Sequence, residues 1–352
     1  MRLPLLAALA AGALAGCLTG CLPSSQRASS RALLPSDSAS VALAAAVPAD
    51  SLALVWSVAP PLALATGVAW AGAPGQPATL AVVETQEGAL HRFSAAGDAL
   101  GAQPLAAGRF PYLAGTDGAA VVALARGADR LVWSTGRTLA VPPGATAAFV
   151  RDTLVLVRTG GGDTGMPGAV LRLDPRTGRE VARHRIAGAP WRAAGYLRPW
   201  ADAVLALSGY RPVADVWTSG AGAVLDTLAL AGFDSPLLGR SAAFGRGDAD
   251  QPPLLAASAA ALGDSLYVLN LRDDHVRVDV YARDGRLVRV LAGPRARPEV
   301  VPMDLAVRRA PGGAVEIAVV ASRPAGLGQS SASRLSLFRW RPSPAGEDVR
   351  GR

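Results

Sequence analysis

The sequence predicts an all-β fold: a six-bladed β-propeller closed by an N-terminal strand and preceded by a signal peptide and a flexible tether. Three observations carry that expectation. A unit of about four short strands recurs along the chain with a step near 40 residues, the signature of propeller blades that bury their faces against one another. The composition, 50% hydrophobic with 39 Gly and 27 Pro in 352 residues, suits a large core but is punctuated too often for long helices. The two ends are also complementary, because the last unit lacks a fourth strand and an unassigned strand stands before the first.

The clearest unit is Leu266 to Gly293, three strands and two turns. Leu266 to Leu271 is apolar without alternation, as a strand covered on both faces must be, whereas Val276, Val278 and Val280 alternate with Arg277, Asp279 and Tyr281 at a period of two. Large apolar residues ahead of Gly-containing turns mark further copies at Phe93, Trp133, Leu173, Trp217 and Phe338. The steps from Phe93 to Trp133 and from Trp133 to Leu173 are 40 residues each; longer steps later carry insertions at Ala231 to Pro253 and Arg323 to Ser333. After Pro342 no strand follows, so Ser51 to Val58 is expected beside Leu335 to Trp340, closing the ring. Pro60-Pro61 interrupts the uncharged stretch Leu52 to Trp70, which excludes a membrane-spanning helix there.

The expected organisation is a signal peptide over residues 1–16, a lipidated N-terminus and flexible tether over 17–50, the propeller over 51–344, and a tail over 345–352. Met1-Arg2 and the apolar run Leu3 to Ala15 follow the plan of an export signal. Leu14-Ala15-Gly16-Cys17 resembles the bacterial lipobox, and Leu18-Thr19-Gly20-Cys21 repeats the pattern. The lipoprotein resemblance implies acylation of Cys17, with Cys21 as the alternative, and a membrane held through the lipid as partner; with Leu18 or Leu22 after the anchor it implies an extracytoplasmic, outer-membrane address. No further cysteine is present, so no disulfide is expected in the exported fold.

All 35 basic residues are Arg. They are spread through turns and strand edges without a dense run, so no nucleic-acid surface is expected. From Ser51 to about Pro344 the repeat pattern resembles the NHL-like and TolB-like six-bladed propeller families of bacterial surface and periplasmic proteins, best over Tyr267 to Leu291 and Leu173 to Gly178. That resemblance implies a fold, not a reaction.

Chemistry-bearing motifs are few. Gly160 to Gly165 fits a dinucleotide fingerprint but leads through Pro167 into a strand instead of a helix. His91, His184 and His275 fall in different copies of the repeat, without the paired ligands a transition metal needs. No Gly-x-Ser-x-Gly elbow occurs. No cofactor and no catalytic residue is assigned; the one candidate ion is calcium at the adjacent acids Asp273 and Asp274. The propeller-lactonase resemblance implies calcium held by Glu, Asn and Asp in the funnel, and the one Asn of the chain, Asn270, lies in a buried-looking strand.

The expected function is a ligand-binding or protein-interaction module, with a divalent-cation hydrolase and an assembly scaffold as alternatives. In a four-stranded blade, the loops between second and third strands share a face with the connections between blades, and that face carries the candidate contacts. They are Arg109, Trp191, Arg192, Tyr210, Arg211, Arg272, Asp273, Asp274, His275, Arg295 and Arg297. The opposite face has tight turns such as Asp117-Gly118 and Arg283-Asp284-Gly285.

Overall fold

The computed structural model of the chain describes residues 38–73, 75–108, 110–150, 154–159, 168–185, 195–200, 203–218, 225–250, 253–272, 275–294, 300–323 and 331–342. These form six sheets. β3 (Ala65–Ala71), β4 (Thr79–Glu84), β5 (Ala89–Phe93) and β6 (Ala99–Pro104) make one, and β7 (Tyr112–Asp117), β8 (Ala120–Ala125), β9 (Arg130–Trp133) and β10 (Thr138–Ala140) the next. They are followed by β11 (Thr146–Val150), β12 (Leu154–Thr159), β13 (Ala169–Leu173) and β14 (Glu180–Arg185), and by β15 (Gly195–Trp200), β16 (Ala203–Ser208), β17 (Val213–Thr218) and β18 (Leu225–Ala229). The last two contain β19 (Ala256–Leu262), β20 (Ser265–Asn270), β21 (Arg277–Tyr281) and β22 (Leu287–Ala292), then β23 (Val301–Arg309), β24 (Val315–Arg323) and β25 (Ala332–Trp340). Within each sheet consecutive strands pair antiparallel. The innermost strands pack side by side in the order β3, β7, β11, β15, β19, β23 and back to β3, so the sheets form a propeller around a central axis.

The core lies between the sheets, which explains the unalternating strands. On β4, Leu80 and Val82 pack with Leu335 and Leu337 of the last sheet, while Ala81 and Val83 pack with Val121 and Ala123 of the next. Likewise Leu266 and Val268 of β20 face one neighbour, and Tyr267 and Leu269 the other. Each fully buried Leu or Val contributes about 1.5–3 kcal/mol of transfer free energy, and a strand covered on both faces collects that at successive positions.

The N-terminal segment corrects the expected fold. The sequence predicts flexible chain up to residue 50 and four strands in every blade. Instead, helix α1 (Ser38–Ala46) lies against the core through Leu43 and Ala44, and Gly232 N donates to the buried Ser40 Oγ at 2.7 Å. β1 (Ala49–Ser51) then adds in parallel to β22, so five sheets have four strands and this one has five. β2 (Ala53–Val58) pairs antiparallel with β25 as the outer strand of the last sheet. The reason is local: Leu43 and Val47 bury apolar surface at the seam, and the outer edge of β22 offers unpaired backbone groups that β1 satisfies. Trp56 of β2 also donates its indole N–H to Ala95 O of the first sheet at 2.9 Å, which joins the two ends of the ring.

The insertion after β18 carries α2 (Leu238–Arg246), which ends at Gly247 in the left-handed conformation, φ 88°. No helix among the described residues is long and apolar enough to cross a membrane.

Candidate binding site on the propeller axis

Four innermost strands slip register by one residue at the same level, between Ala65 and Gly67, Leu113 and Gly115, Ala256 and Ser258, and Pro302 and Asp304. A bulge of this kind bends the strand and re-aims the side chains after it. At two of the four positions the residue is Gly because the ring is tight: a Cβ on Gly67 would stand 2.9 Å from Leu113 Cβ, and one on Gly115 2.7 Å from Phe149 O. At the other two it is Ser258 and Asp304, and both turn to one partner, Arg198.

Arg198 lies on β15, which carries no such slip. Its Nη2 donates to Asp304 Oδ1 at 2.9 Å and to Ser258 Oγ at 3.1 Å, while Nη1 donates to Leu197 O at 3.1 Å and to Tyr112 Oη. Ser258 Oγ donates to Asp304 Oδ1 at 2.5 Å, and the other carboxylate oxygen accepts Val68 N at 3.0 Å. Since β15 is separated from both β7 and β23 by one strand of the ring, the guanidinium spans the axis and ties β3, β7, β15, β19 and β23 together. Burial alone would weaken the Arg198 charge, but the Asp304 carboxylate outweighs it and raises the guanidinium pKa, so the guanidinium stays charged. Asp304 is fully buried, and a carboxylate in that position persists only when paired and hydrogen-bonded on both oxygens.

This plug divides the axis into two ends. One is the loop end, where the innermost strands begin and the loops between second and third strands emerge. There the Tyr112 ring carries two guanidiniums, Arg198 and Arg126, each with Cζ 5.2 Å from the ring centroid. Arg126, in the turn after β8, donates Nε–H to Ala145 O at 2.7 Å, and no carboxylate among the described residues pairs with it. Burial lowers its pKa. Tyr196 stands beside them, its hydroxyl buried and without a hydrogen-bond partner among the described residues. Burial, reinforced by the neighbouring Tyr210 and Tyr112, pushes that phenol pKa far up, so it remains a donor. At the other end, the turn end, lies a partly open cavity of about 190 Å3.

The sequence-predicted residues fall in different places. Tyr210 is only 6% exposed and packs with Phe244 of α2, near Tyr196. Arg211 is half-buried beside it. Arg272 is consumed internally: its Nη2 donates to Asp234 O and Oδ2, both at 2.9 Å. Arg277 joins the same carboxylate at 2.9 Å and Asp279 at 2.7 Å, and Asn270 Nδ2 donates to Asp279 Oδ2 at 2.8 Å. The Asn that the lactonase resemblance would place in the funnel is therefore holding a buried carboxylate within its own blade. His275 is half-buried in the loop before β21. Arg109, Trp191, Arg192, Asp273, Asp274, Arg295, Arg297, Cys17, Cys21 and the Gly160 to Gly165 loop lie outside the described residues. Among the described residues no group of three or more His, Cys, Asp and Glu is placed to hold a metal ion.

Sequence reasoning missed Arg198, Asp304, Ser258, Tyr112 and Tyr196. A signal was present, since Arg198 is the single charge of β15 and Asp304 stands in the apolar run Val301 to Val307 of β23, where each demands a partner. Their 106-residue separation hid the pairing.

No protein-family model matches this sequence, and no curated protein does. Several solved structures resemble it in fold. Regucalcin, a calcium-binding protein from Agrobacterium tumefaciens, is 11% identical with a TM-score of 0.49, over 83% of this chain and 97% of that one. Virginiamycin B lyase from Staphylococcus aureus is 8% identical with a TM-score of 0.46, over 81% and 99%. The Pan2 WD40 domain of Neurospora crassa is 12% identical with a TM-score of 0.46, over 82% and 95%. Each is a likeness of fold alone.

Proposed function

We propose that this protein is a lipid-anchored, extracytoplasmic binding module of the cell envelope that takes an anionic or hydroxyl-rich ligand at the loop end of its axis. The observation that carries the reading is the Arg126 guanidinium, without a carboxylate partner, next to the Tyr196 hydroxyl, without a hydrogen-bond partner, both among the described residues. Two neighbouring donors on an aromatic wall suit ligand oxygens such as those of a phosphate, a carboxylate or a sugar acid. The anchor rests on the lipobox-like segments ending at Cys17 and Cys21.

Calorimetric titration with inorganic phosphate, glucuronate and glucose tests the site. Phosphate or glucuronate is expected to bind more tightly than glucose. Arg126→Gln should weaken that binding by about 10- to 100-fold, the value of a charge-assisted hydrogen bond, and Tyr196→Phe by less. Equal titrations for Arg126→Gln and the parent protein would overturn the reading.

A further inference from the structure

We propose a second, independent ligand site in the cavity at the turn end of the axis, on the far side of the Arg198 plug, for a neutral molecule of single-ring size with hydrogen-bond acceptors. The size follows from the volume. The cavity measures about 190 Å3, and an apolar cavity of about 150 Å3 takes one benzene. Its walls are supplied by Val68, Trp70, Leu113, Thr116, Arg198 and Val307, together with small residues of β19 and β23. Trp70, Thr116, Arg198 and Val307 lie in the second half of their innermost strands, which places most of the cavity beyond the plug and toward the turns that join first and second strands.

The polarity of the ligand follows from two donors. Four Arg198 N–H groups are engaged by Asp304, Ser258, Leu197 and Tyr112, and the fifth, on Nε, makes no hydrogen bond among the described residues. The Trp70 indole N–H is buried and likewise without a partner among them. Arg308 covers one face of that indole, its Cζ 3.4 Å from the ring centroid, which fixes the ring in place. The innermost strands add backbone groups of their own: Val68 N turns away from β4 to reach Asp304, and Trp70, two residues on, presents its backbone to the same side.

Charge sets the rest. Arg198 is already neutralised by the fully buried Asp304, so neither an anion nor a cation would find an unpaired opposite charge there, and either would enter at the cost of desolvation. A neutral ring bearing a carbonyl satisfies both free N–H groups and buries its apolar body against Val68, Leu113 and Val307.

The test uses three probes of one shape, benzamide, benzoate and benzylamine, read by calorimetry and by the shift in melting temperature of the full chain. Benzamide is expected to bind, and benzoate and benzylamine about tenfold more weakly or not at all. Ala261→Leu, which fills the cavity from β19, should abolish benzamide binding. Trp70→Phe keeps the ring and removes the donor, and should weaken it. Should Ala261→Leu fail to fold, Trp70→Phe and the three-probe ranking still decide. Equal binding of all three probes, benzamide binding unchanged by the variants, or a crystal structure at high benzamide concentration with water alone in the cavity would overturn the proposal. None of these outcomes touches the loop-end site, which is probed with different ligands and different residues.

Discussion

Arg198 and Asp304 meet across the propeller axis, Nη2 to Oδ1 at 2.9 Å, with the Asp304 side chain fully buried and Arg198 12% exposed. Removing one partner of such a pair leaves an uncompensated charge in the core. Asp304→Asn or Arg198→Met should therefore cost about 3–5 kcal/mol, while the double variant Arg198→Met with Asp304→Leu should recover much of the loss. Urea unfolding of the three proteins checks this; a double variant as unstable as the singles would show that the pair contributes more than mutual neutralisation.

Glu316 accounts for part of the acid sensitivity of the last sheet. Burial works to raise its pKa, but hydrogen bonds from Arg339 at 2.8 Å and Arg308 at 2.7 Å overcome that and hold the carboxyl below the usual glutamate value. A depressed folded-state pKa gives stability that is fully present above the unfolded glutamate pKa and is lost as pH falls through the lowered one. Glu316→Gln should be less stable than the parent at neutral pH, with the gap closing in acid. Melting curves from neutral to strongly acidic pH read it, and a gap that stays constant would exclude Glu316 as the source.

The N-terminal strap makes a prediction about truncation. Deleting residues 24–37 should leave the melting temperature unchanged, whereas deleting 38–51 strips α1 and β1 from the seam and from β22 and should lower it. Ser40→Ala leaves Gly232 N without its buried acceptor, which costs about 1–3 kcal/mol. An unchanged melting temperature for the 38–51 deletion would mean that the strap adds nothing to stability.

Neighbouring blades meet at Gly178. Its φ is +70°, and a Cβ there would fall 1.8 Å from Ala140 O of β10. Gly118 has a similar φ of +62° with nothing within 4 Å. Gly118→Ala should cost only the left-handed backbone penalty of about 1–2 kcal/mol, and Gly178→Ala substantially more because backbone must move. Equal losses would show that the seam yields easily.

The proposed lipid anchor is tested at Cys17 and Cys21. Cys17→Ala should release the protein from membranes in large part, and Cys17→Ala with Cys21→Ala completely. Membrane retention of the double variant, together with a mature N-terminus free of acyl mass, would exclude lipidation.

Some of this molecule could be read from residues alone. Unbroken apolar runs such as Leu80 to Val83 must be covered on both faces, and Gly-containing turns at regular steps cut the chain into sheet-sized pieces. Pro60-Pro61 by itself excludes a membrane helix over Leu52 to Trp70. The polar content of the axis was not legible in the same way, since each local window presents Arg198 or Asp304 as an isolated charge. The candidate contacts drawn from loop position included Arg272 and Tyr210, which the structure spends on Asp234 and on Phe244.

What the sequence by itself determined is the local grammar: strand length, strand covering and turn position, all set by interactions among residues near one another in the chain. What only the tertiary structure decided are the encounters between distant segments. These are α1 and β1 laid along the fifth sheet, the bulged strands that aim Ser258 and Asp304 at Arg198, and the division of the axis into a cationic, aromatic end and a small neutral cavity. The physical reason is that a buried charge, an orphaned hydroxyl or an unpaired strand edge specifies that a partner is required, while its identity depends on which residues the closed ring brings within a few ångströms.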